Sequence, residues 1–213
     1  MAPTVLVYTS IFGGYDELQP APVHDGRYVC ITDEPQDVPV WRFRLERAYP
    51  SPRLASRKTK ILSQEHFPDE DMTIWLGGWI RMTGDPEALA KKYLRNHDIA
   101  AFAHPHRSSV FNEARMCIRM GKGNPKLIQK QMEYYRRTKF PDDRGLSACF
   151  VLFRRVTQQM ERFEQRWWRQ IQNFSVRDQL SFEFVLWRMG IEINRIPWDE
   201  FSKNFIWLRR HRG

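Results

Sequence analysis

The sequence lacks the features that mark several large protein classes. Nowhere in its 213 residues does an apolar run approach the roughly 18 residues of a membrane-spanning helix, and no basic region precedes an apolar one at the N-terminus. We therefore expect a cytoplasmic protein. The cysteines Cys30, Cys117 and Cys149 are odd in number, widely spaced and set in apolar surroundings, so we expect buried thiols rather than a disulfide framework or a zinc site.

Several catalytic and nucleotide-binding signatures are also missing. The sequence has neither the GxSxG turn of α/β hydrolases nor the HExxH helix of zinc peptidases, which argues against a hydrolase such as a lipid amidase. Gly13 and Gly14 follow an apolar segment, but the third glycine of GxGxxG and the GK[ST] end of a P-loop are absent. The pair permits either close backbone approach to a ligand or a tight structural turn, and both interpretations stay open.

The chain does contain core-forming residues and an uneven charge. Hydrophobic residues make up 42% of it and aromatic residues 14%, enough for a packed core. One domain over residues 1–213 is the simplest prediction. Residues 1–40 carry one basic and six acidic residues, a balance of −5, which leaves +14 on residues 41–213. Such a field attracts polyanions, or else serves only to keep the surface soluble.

Two kinds of periodicity alternate along the chain. Runs rich in β-branched and aromatic residues predict strands at residues 4–10, 27–33, 40–46, 72–76, 99–104, 149–154 and 191–196. Helix starts are predicted at Asp85-Pro86, at Asn124-Pro125 and at a capping box formed by Ser175 and Asp178, whose helix Gly190 ends. The alternation predicts an α/β fold with a central sheet, helices on both faces and ligands at the carboxyl ends of the strands.

Two charged features lie near the predicted strand ends. If residues 51–62 form a helix, Arg53, Arg57 and Lys60 share one face, which makes either a clamp for a diphosphate or a solvated basic face. Asp33 ends the second predicted strand. Its carboxylate either accepts hydrogen bonds from a base or ribose, or caps the following loop.

The order of the motifs resembles a known family. In chain order these are YTSIFGGYD, CITD, PRLA with KIL, TIWLGGWI, HPHRSSVFNEA, QMEYYRRTKFP, and a WW pair with SVRDQLSF. Together they resemble a glycosyltransferase-like family, formerly of unknown function, that includes plant mucilage-biosynthesis proteins and bacterial relatives. The resemblance covers about residues 6–200 and is most specific at RDQLSF. It implies a single GT-A-like domain with a mixed sheet, in which a sugar passes from a nucleotide-diphosphate sugar to an acceptor hydroxyl.

The resemblance also implies a role for individual positions. Thr9, Phe12, Gly13 and Asp33 would line the nucleoside pocket, Arg53 and Lys60 would face the donor, His104, Arg107 and Glu113 would stand beside the sugar, and Arg177, Asp178 and Gln179 would begin a helix facing the reaction centre. The acceptor's proton requires a carboxylate base. Asp178 is the first candidate for it, unless it only caps its helix, and Glu113 is the second.

One segment departs from the family pattern. Gly77 stands where relatives usually carry an aspartate that holds a divalent metal, Mn or Mg, across the diphosphate, and Trp79 replaces a small polar residue. Both positions are still expected to contact substrate. Glycine has no side-chain oxygen, so metal dependence stays open, with His211 as a possible ligand. A metal-independent enzyme, a degenerate binding protein and a substituted chain would each account for this departure.

The resemblance suggests a nucleotide-binding half, about residues 1–105, and an acceptor half, about residues 106–213. The basic balance favours a polyanionic acceptor, either hydroxymethylated bases in DNA or an acidic glycan. The alternative is a catalytically inactive nucleic-acid-binding protein on a degenerate transferase fold. The oligomeric state is left open.

Overall fold

The computed structural model describes residues 3–22, 27–48 and 50–208, and within these ranges the chain forms nine strands and eight helices. The strands are β1 (Val5–Ile11), β2 (Arg27–Thr32), β3 (Arg42–Leu45), β4 (Met72–Leu76), β5 (Ile80–Met82), β6 (Ile99–Ala103), β7 (Ser147–Arg155), β8 (Asn194–Ile196) and β9 (Phe205–Trp207). The helices are α1 (Pro52–Ile61), α2 (Ser63–His66), α3 (Pro86–Tyr93), α4 (Val110–Arg119), α5 (Pro125–Arg137), α6 (Gln158–Asn173), α7 (Gln179–Met189) and α8 (Phe201–Asn204).

A mixed seven-stranded sheet organises the fold, in the order β3-β2-β1-β4-β7-β6-β8. Only β7 runs against its neighbours β4 and β6, and the other pairings are parallel. The strands of this sheet are the seven that the sequence predicts, so that prediction is confirmed. The short strands β5 and β9 form a separate antiparallel pair that the sequence does not predict, because three residues are too few to show a strand's alternation of apolar and polar residues.

Helices cover both faces of the sheet, as predicted. On β1, Leu6 and Tyr8 face a core shared with α1 and α4 to α7, whereas Val7 and Ile11 face a second core shared with α3 and α8. β1 is buried along its whole length, so both of its faces belong to the core. None of the helices within the described ranges has the length and hydrophobicity needed to cross a membrane.

Two of the predicted helix starts are confirmed. The Asp85 carboxylate accepts a hydrogen bond from the Ala88 N–H at 2.7 Å, and the Asn124 side chain accepts one from the Lys126 N–H at 3.0 Å. Gly190 ends α7 with a φ of 62°, as predicted.

The predicted capping box before α7 is wrong. Ser175 Oγ accepts from the Arg177 N–H at 3.2 Å, and Asp178 makes no side-chain capping bond. The reason is that the Asp178 carboxylate is held by cations from another helix, described below.

The carboxyl ends of the parallel strands meet at one edge of the sheet. Gly13, Asp33, Gly77 and His104 follow the ends of β1, β2, β4 and β6, respectively. Because β7 is antiparallel, its first residue, Ser147, lies at the same edge. The topology therefore gathers segments that are more than 130 residues apart in the sequence.

A buried arginine near the other end of β7 joins the sheet to the helices on one of its faces. Arg154 on β7 is 0% exposed and donates to Glu164 at 2.8 Å, to the Ile61 carbonyl at 3.0 Å and to the Tyr8 hydroxyl. Glu164 also accepts from Ser63 Oγ. One guanidinium thus joins β1, α1 and α6, and its charge is compensated by the buried carboxylate.

We expect Arg154→Met to lower the free energy of unfolding by about 3–5 kcal/mol, because it leaves Glu164 buried without its cation. The neighbouring Arg155 is a matched control, since it is 38% exposed and lies 3.8 Å from Asp98. We expect Arg155→Gln to cost about 1 kcal/mol or less. Urea unfolding measures both, and equal losses in the two variants would contradict the assignment.

Candidate functional site

The centre of the candidate site is a buried carboxylate held by two cations. Asp178, at the start of α7, contacts Lys60 Nζ through Oδ2 and lies 3.1 Å from Arg57 Nε through Oδ1. Asp178 is 5% exposed and Lys60 is 4% exposed. Both cations come from the last two turns of α1, so the predicted helix and its shared basic face are confirmed.

Backbone contacts hold this carboxylate and its partner in place. The Lys60 carbonyl accepts from the Tyr8 hydroxyl at 3.0 Å and from Arg154 Nη2 at 2.8 Å. The Trp167 indole N–H donates to the Asp178 carbonyl at 3.0 Å. The pair is therefore anchored to the network around Arg154, and the indole of Trp167 is buried in the core.

The electrostatics of Asp178 bear on its predicted role as the general base. Burial alone would raise the pKa of the carboxyl, but the adjacent Arg57 and Lys60 outweigh burial and hold the pKa far below its ordinary value. A carboxylate this strongly stabilised in its ionised form is a weak proton acceptor near neutral pH. The structure therefore favours a fixed negative charge at Asp178, and its role as the general base stays a prediction.

Further cations surround this carboxylate. Partial burial, and secondly the charges of the nearby Arg57 and Arg177, lower the pKa of Arg53. Arg53 and Arg177 form no ion pair within the part of the chain that the structure describes. Arg53, Arg57, Lys60 and Arg177 against Asp178 leave an excess of +3. The cluster can neutralise an anionic ligand of comparable charge.

A second charged group lies beside the first. Glu113 on α4 is 4% exposed, contacts Arg107 and accepts from Cys117 Sγ at 3.4 Å. Arg177 lies near the same Cys117 thiol, since it acts to lower the pKa that burial raises there, so the two groups are adjacent. The structure thus brings Arg107, Glu113 and Arg177 together, as the resemblance implies.

His104 completes this second group. Its Nδ1 accepts the backbone N–H groups of His106 and Arg107, both at 3.1 Å, and its Nε2 lies 3.1 Å from Arg107 Nη2. Nε2 lies 4.0 Å from Glu113 Oε2. Burial, and secondly Arg107, lowers the pKa of His104, so the ring is neutral at neutral pH.

The loop after β1 is held by Asp33. The Gly13 N–H donates to both carboxylate oxygens, at 2.9 and 3.0 Å. Gly13 has a φ of +64°, and a Cβ there would lie 2.9 Å from Pro52 Cγ, so this position requires glycine. Thr9 and Phe12, predicted to line a nucleoside pocket, are 1% and 3% exposed. Both side chains lie in the core, and their place beside a nucleoside stays a prediction.

A cavity of about 280 Å³ opens between the loops that follow β1 and β2. Its lining includes Gly14, Thr32 and Gln36, together with the acidic residues Asp16, Glu17, Glu34 and Asp37. Gln36 joins the two loops by accepting from the Leu18 N–H at 2.9 Å. The cavity walls are rich in hydrogen-bond acceptors and would repel a phosphate.

The turn after β4 does not fit a divalent metal. The indole of Trp79 lies against Gly77, where an ideal Cβ would be 3.2 Å from its ring. Asp16 approaches the next residue, with Oδ2 2.9 Å from an ideal Cβ of Gly78. Mn or Mg prefers several oxygen ligands. The described residues contain no group of three or more metal-ligating side chains, His211 lies outside them, and we derive no step through a metal.

Gln179 and Trp79 have structural contacts of their own. Gln179 Nε2 donates to the Ser147 carbonyl at 3.0 Å, which ties the start of α7 to the sheet edge. Trp79 is half-buried, with its ring 6.3 Å from that of Trp207. Their contact with a substrate remains a prediction.

Comparison with known proteins is consistent with this geometry. The family model described as TOD1/MUCI70, glycosyltransferase-like domain, matches residues 23–211. The chain is similar to the probable hexosyltransferase MUCI70 of Arabidopsis thaliana, with 23% identity over 245 aligned residues that cover 98% of this chain and 42% of that protein. It is also similar to the alkaline ceramidase TOD1 of the same plant, with 26% identity over 174 residues that cover 74% of this chain and 38% of that protein. The chain spans about two fifths of the length of these relatives.

Among solved structures, the apo form of the bifunctional glycosyltransferase WbbM has a similar fold. The TM-score is 0.57 at 12% identity, and the match covers 92% of this chain and 39% of that chain. The likeness concerns the fold alone, and with it the predicted GT-A-like α/β fold is confirmed.

The lowered pKa of Asp178 predicts a pH-dependent contribution to stability. A carboxyl whose folded pKa is depressed stabilises the protein above its unfolded pKa of about 4, and this stabilisation is lost as the pH falls towards the folded value. We expect the advantage of the wild type over Asp178→Asn in urea unfolding to be constant from pH 7 to pH 5. Below pH 4 it should shrink by about 1.4 kcal/mol per pH unit.

The exposed Asp143 provides the control for this measurement. Asp143→Asn is expected to change the free energy of unfolding little at any of these pH values. A constant difference between the wild type and Asp178→Asn down to pH 2 would show that the carboxylate is not held as described.

Proposed function

The chain belongs to the TOD1/MUCI70 glycosyltransferase-like domain family, and we propose that it transfers a hexosyl group from a nucleotide-diphosphate sugar to an acceptor hydroxyl. A glycosyltransferase-like fold implies a nucleotide sugar and an acceptor. The name of the relative MUCI70 supports the hexosyl type.

One observation carries the proposal, the cationic excess around Asp178. Breaking the bond between sugar and phosphate places negative charge on the departing diphosphate, so the reaction needs fixed cations there. Arg53 and Arg177 are available for this task because neither is paired with an acid within the described residues, whereas Arg57 and Lys60 are held by Asp178. The excess of +3 is comparable to the charge of a nucleoside diphosphate.

The nucleoside would occupy the cavity between the loops after β1 and β2. Its acidic lining suits the hydrogen-bond donors of a base and a ribose, whereas the cationic cluster attracts the phosphates. Gly13 and Asp33 would then shape the wall between the two regions. This division of charge would orient the donor with its phosphates towards α1 and α7.

The same geometry supports an assignment of two carboxylates. Asp178, held ionised, would face the positive charge that develops on the sugar. Glu113 would take the proton of the acceptor hydroxyl, with Arg107 and the neutral His104 fixing its position. In this assignment the O–H bond of the acceptor breaks as its oxygen bonds to the anomeric carbon, and the diphosphate leaves with the electrons of the broken bond.

The acceptor is less defined than the donor. A polyanionic acceptor is supported by the +14 balance of residues 41–213, but neither DNA nor an acidic glycan appears in the names of the relatives. We therefore do not carry DNA modification forward as part of the proposal. Because one relative is named a ceramidase, hydrolysis of a ceramide amide belongs in the same assay as the competing activity.

We expect Arg53→Ala to weaken donor binding about 10- to 100-fold, since a charge-assisted hydrogen bond contributes roughly 1.5–3 kcal/mol. The control is Lys58→Ala on the same helix, because Lys58 is 51% exposed and lies near Glu65 instead of Asp178. Titration calorimetry with individual UDP- and GDP-sugars, with and without manganese, measures both variants.

Transfer to a panel of glycan and alcohol acceptors, monitored by release of the nucleoside diphosphate, tests the activity itself. Binding of no nucleotide sugar by the wild type, or ceramide cleavage without sugar transfer, would overturn the proposed function. Equal loss in the Arg53 and Lys58 variants would overturn only the assignment of the phosphate site.

A further inference from the structure

The hairpin formed by α4 and α5 carries most of the net charge of the protein. Residues 109–140 contain eight basic and two acidic residues, a balance of +6 out of +9 for the whole chain. Glu113 faces Arg107 outside the hairpin, and Glu133 lies 3.9 Å from Arg137. The remaining seven basic side chains form no ion pair with any residue that the structure describes.

The turn of this hairpin, residues 119–127, also exposes large apolar side chains. Met120 ends α4 with 54% of its surface exposed, and Leu127, in the first turn of α5, is 37% exposed. The exposed Arg119, Lys122 and Lys126 alternate with them along the chain. Exposed methionine and leucine side chains cost free energy in water, and the positive charges around them favour an anionic partner.

The exposure is not the result of a loosely packed hairpin. Tyr135 of α5 stacks on Phe184 of α7 with ring centroids 3.9 Å apart, and Ile128 and Met132 are buried in the same core. The Asn124 side chain caps α5 at its first two N–H groups. The turn is therefore held rigidly with its apolar and basic side chains outward.

We propose that the turn of the α4–α5 hairpin docks on the surface of an anionic lipid bilayer. Lysine and arginine attract the headgroups, and the two apolar side chains enter the boundary with the acyl chains. A soluble polyanion would be attracted by the cations alone and would leave Met120 and Leu127 in water. The combination of both features within nine residues favours the bilayer.

The position of the turn links the bilayer to the candidate site. An ideal Cβ on Gly123, in the middle of the turn, would lie 3.4 Å from Arg177 Cγ and 3.5 Å from Ser175 Oγ. At the other end of the hairpin, Ser109 Oγ donates to Asp142 at 2.6 Å. A bilayer docked on the turn therefore lies next to the cluster around Asp178. Docking itself does not depend on the proposed transfer reaction.

A second basic surface provides a matched control. Arg162, Arg166 and Arg169 are exposed along one face of α6, also without an ion pair within the described ranges. No exposed large apolar side chain lies on α6. Replacing these three arginines with glutamine removes the same charge as Lys122→Gln, Lys126→Gln and Lys130→Gln combined.

The experiment is co-sedimentation of the full chain with vesicles of phosphatidylcholine alone or with 30% phosphatidylglycerol. We expect binding only to the anionic vesicles, weakened on the order of 100-fold by the triple lysine variant and at most a few-fold by the triple arginine variant. The double variant Met120→Ser, Leu127→Ser should weaken vesicle binding on the order of 10-fold but leave binding to soluble dextran sulfate unchanged. Leu45→Ser with Ile206→Ser, two exposed apolar residues elsewhere, is its control.

Three outcomes would overturn the proposal. The first is equal sedimentation of the wild type with neutral and anionic vesicles, or none with either. The second is equal loss in the lysine and arginine triple variants, which would show a general effect of net charge. The third is full vesicle binding by the double serine variant, which would make the turn a surface for soluble polyanions. All substitutions are at exposed positions, and far-ultraviolet circular dichroism verifies that each variant is folded.

Discussion

The candidate site depends on the buried ion pair between Lys60 and Asp178, which is itself held in place by a second buried ion pair, between Arg154 and Glu164. Removing a charge from water costs several kcal/mol, and a partner must be fixed close by to offset that cost. The Lys60 ammonium has such a partner in Asp178. The Lys60 backbone is fixed as well, because its carbonyl accepts hydrogen bonds from Arg154 and Tyr8. The carboxylate at the start of α7 is thus oriented by residues of β1, β7 and α1.

Much of the fold could be predicted from the sequence, because the strands have distinct sequence patterns. Each of the seven runs of β-branched and aromatic residues forms a strand of the central sheet, and Asp85 and Asn124 begin the predicted helices. The predicted capping box before α7 is wrong for a physical reason. Ser175 and Asp178 have the spacing of a capping box, but a carboxylate between Lys60 and Arg57 gains more from two cations than from one backbone N–H.

The site was only partly visible in the sequence for a related reason. Helical spacing identifies the basic face of α1, and the family resemblance selects Arg177, Asp178 and Glu113. Neither indicates that Asp178 and Lys60 are partners, since they lie 118 positions apart. The burial of Thr9 was not visible in the sequence either, since the period of a strand does not distinguish a side chain beside a ligand from one buried under helices on either face.

Gly77 and Trp79 both depart from the family pattern, and the two departures are best understood together. A glycine in place of an aspartate would leave an open space at this turn, but here the indole of Trp79 fills it, within 3.2 Å of where a Cβ would stand. Any larger residue at position 77 would have to displace that ring. Gly78 meets the same restriction from Asp16, at 2.9 Å. Glycine and tryptophan are therefore sterically complementary across this turn, and in the proposed reaction neutralisation of the diphosphate falls to Arg53 and Arg177, near Asp178.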